Sequence, residues 1–146
     1  LNGIKDCGDI QIKIVNNETY PLLNHAVAAL VTSGTATLET AMFGVPQVVC
    51  YETPIPHLIR FGFDHVIKCK YISLVNLIAD KEIVKELFAD RFSVSNISEE
   101  LGRILPGGEG RQKMLDEYEE VYKKLGDTIA PDNAARIMFG LLNHKD

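Results

Sequence analysis

Ala28-Ala29-Leu30-Val31-Thr32-Ser33-Gly34-Thr35-Ala36-Thr37-Leu38-Glu39 is the stretch that decides the fold. It begins as an apolar run without alternation, the pattern of a parallel strand buried on both faces. The run breaks at Ser33-Gly34-Thr35, small and hydroxylated residues that let a chain turn tightly and cap a helix. Residues 36–43 then read as a helix, closed by Gly44 in the C-terminal capping position. A strand, a small-residue turn and a helix N-terminus together make an anion site. Unpaired backbone N–H groups and the positive end of the helix dipole converge on it.

Glu39 stands one turn further on. A capping box does not account for it, because the residue three beyond Ser33 is Ala36 and three beyond Thr35 is Leu38. Its carboxylate has two readings. It is a surface Glu favoured by the dipole, or it accepts two hydrogen bonds from the ribose diol of a ligand whose phosphate sits in the turn. The same geometry opens many α/β units that bind nothing, so these residues alone leave both readings open.

Outward from that stretch, residues 9–15 alternate apolar and polar like a half-buried strand, and 20–26 fit a short helix with Pro21 near its start. Residues 45–51 read as a further strand, with Pro46 placed where no ladder donor is lost. The order β-α-β-α-β implies crossovers and a parallel sheet. The turn at 33–35 and the loop at 52–56 then share the edge that lines the ligand crevice, with His57 and Arg60 just beyond it. Residues 66–72 fit a short strand. Ser73 and Asn76 are the polar side chains in the apolar run that follows, and buried polar groups need partners. Asn76 either tethers a backbone loop or faces a polar ligand. Beyond residue 80 the pattern reads as helical: 81–88 capped by Asp80, a helix opened by Ser93 or Ser95 and ending at Leu105, 111–125, and a last helix from Pro131. Their stripes, such as Ile137, Met138, Leu141 and Leu142, suit core or subunit packing. The sheet part (1–80) and the helical part (81–146) form one domain without a linker between them.

At 146 residues with 46% hydrophobic and 24% charged residues, the chain can bury a real core. A net charge of −5, with no basic run carrying interleaved aromatics, argues against a nucleic-acid binder. No apolar stretch approaches the roughly 20 residues that cross a bilayer, and no signal peptide is present. Cys7, Cys50 and Cys69 are odd in number, widely spaced and without CxxC, which suits a reduced, cytoplasmic protein without a structural metal. The Leu1-Asn2-Gly3 start suggests a fragment. Nucleophile elbows, Walker loops, metal-spaced His clusters and Gly-x-Gly-x-x-Gly are absent from the sequence.

Two motifs carry a resemblance. Ala29 to Glu39, followed by Gly44-Val45-Pro46-Gln47-Val48-Val49, is similar to the nucleotide-binding signature of the lipid-A-disaccharide synthases. So are Tyr71-Ile72-Ser73-Leu74-Val75-Asn76-Leu77-Ile78-Ala79 and the Glu82-Ile83-Val84-Lys85-Glu86-Leu87 that follows. The first motif is shared more loosely by other sugar-nucleotide transferases; the two in this order are more specific. The resemblance spans roughly residues 10–143.

It implies an α/β fold: a Rossmann-like parallel sheet with flanking helices and a helical C-terminal tail, the C-terminal half of a GT-B glycosyltransferase. It implies transfer of 2,3-diacylglucosamine from UDP to 2,3-diacylglucosamine 1-phosphate, with inversion, in lipid A biosynthesis, with no cofactor and no metal. It further implies a cytoplasmic enzyme peripheral to the inner membrane, and a homodimer that can exchange its C-terminal segments. Carried onto this sequence, the resemblance implies that Ser33, Gly34, Thr35 and Ala36 cradle the diphosphate and that Glu39 holds the ribose, the second of its two readings. Asn76 matches the Asn of a Ser-Leu-Pro-Asn motif near the reacting sugar, although Val75 replaces the Pro. The family's chain is more than twice as long. Its catalytic acidic residue, its Gly-Ser-Arg phosphate loop and the first strand of this domain all precede Leu1, so the fragment alone is expected to be inactive. Two alternatives compete: another UDP-sugar GT-B enzyme, of the peptidoglycan N-acetylglucosaminyltransferase or UDP-sugar epimerase type, and a non-catalytic α/β dimerisation domain.

Overall fold

Three short parallel strands carry the helices that surround them. The computed structural model describes residues 12–32, 34–52, 70–126 and 130–143. In chain order these hold α1 (Thr19–Leu23), β1 (Ala29–Val31), α2 (Thr35–Met42), β2 (Gln47–Tyr51), α3 (Leu74–Ala79) and β3 (Lys85–Phe88). A 3-10 turn (Ala89–Arg91), α4 (Val94–Ile104), α5 (Arg111–Leu125) and α6 (Ala130–Asn143) complete them. The sheet order is β1-β2-β3, parallel throughout, with Ala29 beside Gln47 and Val49 beside Glu86. Parallel neighbours require crossovers; α2 supplies the first and α3 ends the second. This is the expected α/β, Rossmann-like arrangement, but among the described strands β1 lies at the sheet edge with Leu30 exposed, not buried on both faces as its unbroken apolar run suggested.

Some elements fall elsewhere than the sequence suggested. Residues 85–88 are a strand rather than the end of a helix over 81–88, and Asp80 sits in the left-handed region after α3 instead of capping a new helix. Ile83, Val84, Leu87 and Phe88 match a helical stripe, but a short strand buried on both faces gives the same run, and periodicity does not separate the two. The sheet therefore continues past residue 80. Residues 12–15 form no strand, and Ile12 and Ile14 are exposed; the start of the expected strand lies outside the described residues. The expected strand over 66–72 lies mostly outside them too, and 70–72 are irregular. His57 and Arg60 lie outside the described residues, as do Cys7 and Cys69.

One sheet face meets α2, α3 and α5. From β2, the Gln47 side-chain amide donates to the Thr37 carbonyl of α2 at 2.8 Å and to the Tyr118 hydroxyl of α5 at 3.2 Å. From β3, Glu86 meets Ser73 and Asn76 around α3. The other face meets α4, where Lys85 and Leu87 share a cavity of about 300 Å³ with Asn96, Glu99 and Glu100. Met114, Tyr118 and Val121 of α5 join Val48, Val49, Val75 and Val84 in the core. Burying a single valine of that kind stabilises by about 1.5–3 kcal/mol.

Polar ties fix α5 in place. Lys81 pairs with Glu117 and Glu120, Lys124 donates to the Ala79 carbonyl at the end of α3, and the Tyr122 hydroxyl donates to the Ala41 carbonyl. α6 differs, with Ile137, Met138, Phe139, Leu141 and Leu142 all exposed. Among the described residues no helix is long and apolar enough to cross a membrane.

Candidate functional site

The order of contacts along α2 and α3 shows which way they run. Thr37 meets Gln47 while the later Thr40 carbonyl accepts from Val45 N–H, so α2 runs against β2. Ser73 meets Glu86 while the later Asn76 meets Ile83 and Val84, so α3 runs against β3. Both helices therefore start at the edge where the strands end. That is the edge on which ligands bind in open parallel sheets.

α2 starts on Gly34, whose φ of 102° and ψ of −157° lie in a region open in practice only to glycine. The Thr37 N–H and hydroxyl both donate to the Gly34 carbonyl, at 3.2 and 2.8 Å. Among the described residues no side chain accepts from the N–H groups of Thr35 or Ala36, and Gly34 has none of its own to offer. The start of α2 is thus a pair of open donors at the positive end of an eight-residue helix. Glu39 follows one turn later and is half-buried. Gly34, Thr35, Ala36 and Glu39 are brought together on one short helix; Ser33 lies outside the described residues. Gly44, at φ 66°, ends the helix as its sequence position suggested.

Asn76 is placed differently. It is fully buried, and its amide is used up on all sides. Its Oδ1 accepts from Ile83 N–H at 2.7 Å and Val84 N–H at 3.0 Å; its Nδ2 donates to the Val84 carbonyl at 2.8 Å and to Glu86 at 2.9 Å. Two donors and two acceptors are all that an asparagine side chain has. The geometry is that of a loop tether. It joins α3 to β3 and leaves no polar atom over for a ligand.

Glu86 was not singled out from the sequence. It is 6% exposed, and its carboxylate accepts from Ile72 N–H (2.9 Å), Ser73 N–H (2.9 Å), the Ser73 hydroxyl (2.7 Å) and the Asn76 amide. A signal existed: two polar residues in an apolar run, Ser73 and Asn76, needed a partner. A charged residue ten positions further on was a candidate, but 81–88 read as a surface helix.

Other groups near the edge are chemically quiet. Cys50 lies one residue before the end of β2, and burial pushes its thiol above the ordinary range, so it is no ready nucleophile. Burial likewise raises the Tyr118 hydroxyl well above its usual value, which keeps it a neutral donor. Among the described residues no three His, Cys, Asp or Glu side chains cluster to hold a metal ion.

A family model described as lipid-A-disaccharide synthetase matches residues 4–137. A lipid-A-disaccharide synthase of Solibacter usitatus is 32% identical over 142 residues, which cover 94% of this chain and 37% of that protein. One from Psychromonas ingrahamii is 36% identical over 137 residues, covering 94% and 35%. One from Acidobacterium capsulatum is 38% identical over 104 residues, covering 70% and 25%. The chain thus spans about a third of the length of the curated relatives it matches.

Proposed function

The chain belongs to the lipid-A-disaccharide synthase family, and from that premise we propose that it is the UDP-binding C-terminal part of such an enzyme. The enzyme would transfer 2,3-diacylglucosamine from UDP to 2,3-diacylglucosamine 1-phosphate with inversion. The observation that carries this reading is the start of α2. Two backbone donors open at the C-terminal edge of the sheet, one turn before a half-buried carboxylate, within the matched part of the chain. Thr35 and Ala36 donate to the leaving diphosphate, where charge grows as the glycosidic bond breaks. Ser33 and Gly34 complete the turn around it. Glu39 accepts from the ribose hydroxyls and fixes the nucleotide along the helix.

Inversion also needs a base to take the acceptor's proton. In this reading that base comes from the preceding domain that the family resemblance implies. The part described here supplies binding and leaving-group stabilisation. Asn76 serves the reaction through the loop it tethers and does not touch the sugar. In this reading the enzyme works at the cytoplasmic side of the inner membrane, where acylated substrates lie. The exposed Ile137, Met138, Phe139, Leu141 and Leu142 of α6 favour a homodimer that exchanges its C-terminal segments.

UDP titration by calorimetry tests the cradle on this chain, with Glu39→Ala alongside. Loss of two charge-assisted hydrogen bonds should weaken UDP about 10–100-fold. Affinity equal in parent and variant would remove Glu39 from the site. No UDP binding by the complete transferase would sink the transferase reading itself.

A further inference from the structure

The buried carboxylate of Glu86 has no place in the binding scheme above, and it is an expensive group to keep there. Among the described residues no lysine or arginine is recorded in an ion pair with it; four dipolar donors hold it instead. Removing a charge from water costs several kcal/mol unless it is well partnered. Starting α3 does not require it, because Ser73 already caps that helix by accepting from Asn76 N–H at 3.3 Å. What Glu86 adds is a hold on the residues before the helix. Its two oxygens take the N–H groups of Ile72 and Ser73, at 2.9 Å each. Those residues sit where α3 starts, on the same edge as Gly34, and α2 packs directly against α3.

We propose that Glu86 is a positioning residue for the transfer reaction: by gripping Ile72 and Ser73 it fixes the backbone beside the cradle, on which the sugar end of the nucleotide rests. The proposal rests on the transferase reading. The grip leaves α2 untouched, so the diphosphate and ribose contacts do not depend on it. Turnover does, because a displacement of about 1 Å in a supporting element can cost 10²-fold in rate.

The test compares the complete transferase with its Glu86→Gln variant. A glutamine presents one acceptor oxygen where two are needed, and turns an NH₂ toward backbone donors. kcat should fall about 10²-fold with the dissociation constant of UDP within threefold of the parent. Amide exchange should quicken at Ile72 and Ser73 while β2 stays protected. Unchanged kcat in a folded variant overturns the proposal. So does a joint fall of kcat and UDP affinity in step with thermal stability, which is what a merely structural role predicts.

If Glu86→Gln does not fold, Ser73→Ala removes the hydroxyl's bond to the carboxylate together with the α3 cap, leaves the Ile72 and Ser73 N–H bonds in place, and should lower kcat about tenfold at constant UDP affinity. No effect there overturns the proposal equally. Failure of the parent to bind UDP would fell the transferase reading and this role with it, and that outcome is visible before any variant is made.

Discussion

Two helices start at the same edge of the sheet, and they start in opposite ways. α3 is closed from within: Ser73 caps it, and Glu86 collects the N–H groups of Ile72 and Ser73 with a buried negative charge. α2 starts on a glycine, and among the described residues no side chain takes the N–H groups of Thr35 and Ala36. Every helix start carries orphan donors and a positive dipole end. At α3 a carboxylate of the protein already sits beside the start, on the residues just before the helix. At α2 the donors stay open among the described residues, with the half-buried Glu39 one turn beyond. On the proposed reading, that difference separates the helix start that binds from the one that serves as scaffold.

The sharpest way to break this comparison is to open the closed start. Asn76→Ala strips the partners from Ile83 N–H and Val84 N–H and takes a donor from Glu86. Each buried group left unpaired costs about 1–3 kcal/mol, so denaturant unfolding should show a loss of about 3–5 kcal/mol. A loss below about 1 kcal/mol would mean that the α3–β3 joint is held by packing rather than by the amide.

The open start should respond more weakly in stability and more strongly in binding. Gly34→Ala meets no steric obstacle, since nothing lies within 4 Å of an added Cβ. The backbone conformation, however, is one that a side chain strains by about 1–3 kcal/mol. The variant should therefore unfold slightly earlier and bind UDP at least tenfold more weakly, as the first turn of α2 shifts to relieve the strain. Weaker folding with undiminished UDP affinity would locate the nucleotide away from α2.

The two starts were not equally legible. The α2 start could be read from local rules: an apolar run that becomes a strand (though one with Leu30 exposed rather than buried on both faces), a turn of small residues, and a helix ended by Gly44. α5 was equally plain, and its bounds at Arg111 and Leu125 coincide with those read from its stripe and from Gly126. The α3 start depends on Glu86, which meets Ser73 across thirteen residues of chain and only once β3 has formed. Reading 81–88 as a helix placed that carboxylate in solvent and hid the partner that Ser73 and Asn76 required. The apolar run had already drawn attention to Asn76 and the family resemblance added to it, and geometry explains its burial; neither the run nor the spacing could have shown that its amide is saturated. For α6 the stripe was legible and its partner was not, because nothing in a helix's own sequence says what covers it.

The smallest expected effect tests how the open start is held at all. With its N-terminus free for a ligand, α2 is anchored from its side, where Gln47 donates to the Thr37 carbonyl and to Tyr118. This anchor is imperfect, because the Gln47 Oε1 is buried without a hydrogen-bond partner among the described residues. Gln47→Met deletes two donated bonds worth about 1 kcal/mol each, and also removes an unpaired buried acceptor that costs about as much. Tyr118 keeps its bond to the Val45 carbonyl, and the Thr37 carbonyl stays within the helix ladder. Stability should therefore change by less than about 1 kcal/mol, with UDP affinity unaltered. A larger loss, with weaker UDP binding, would show that the cradle is positioned by Gln47 much as the α3 start is gripped by Glu86. The contrast between the two helices would then lie in where each is held, not in whether it is.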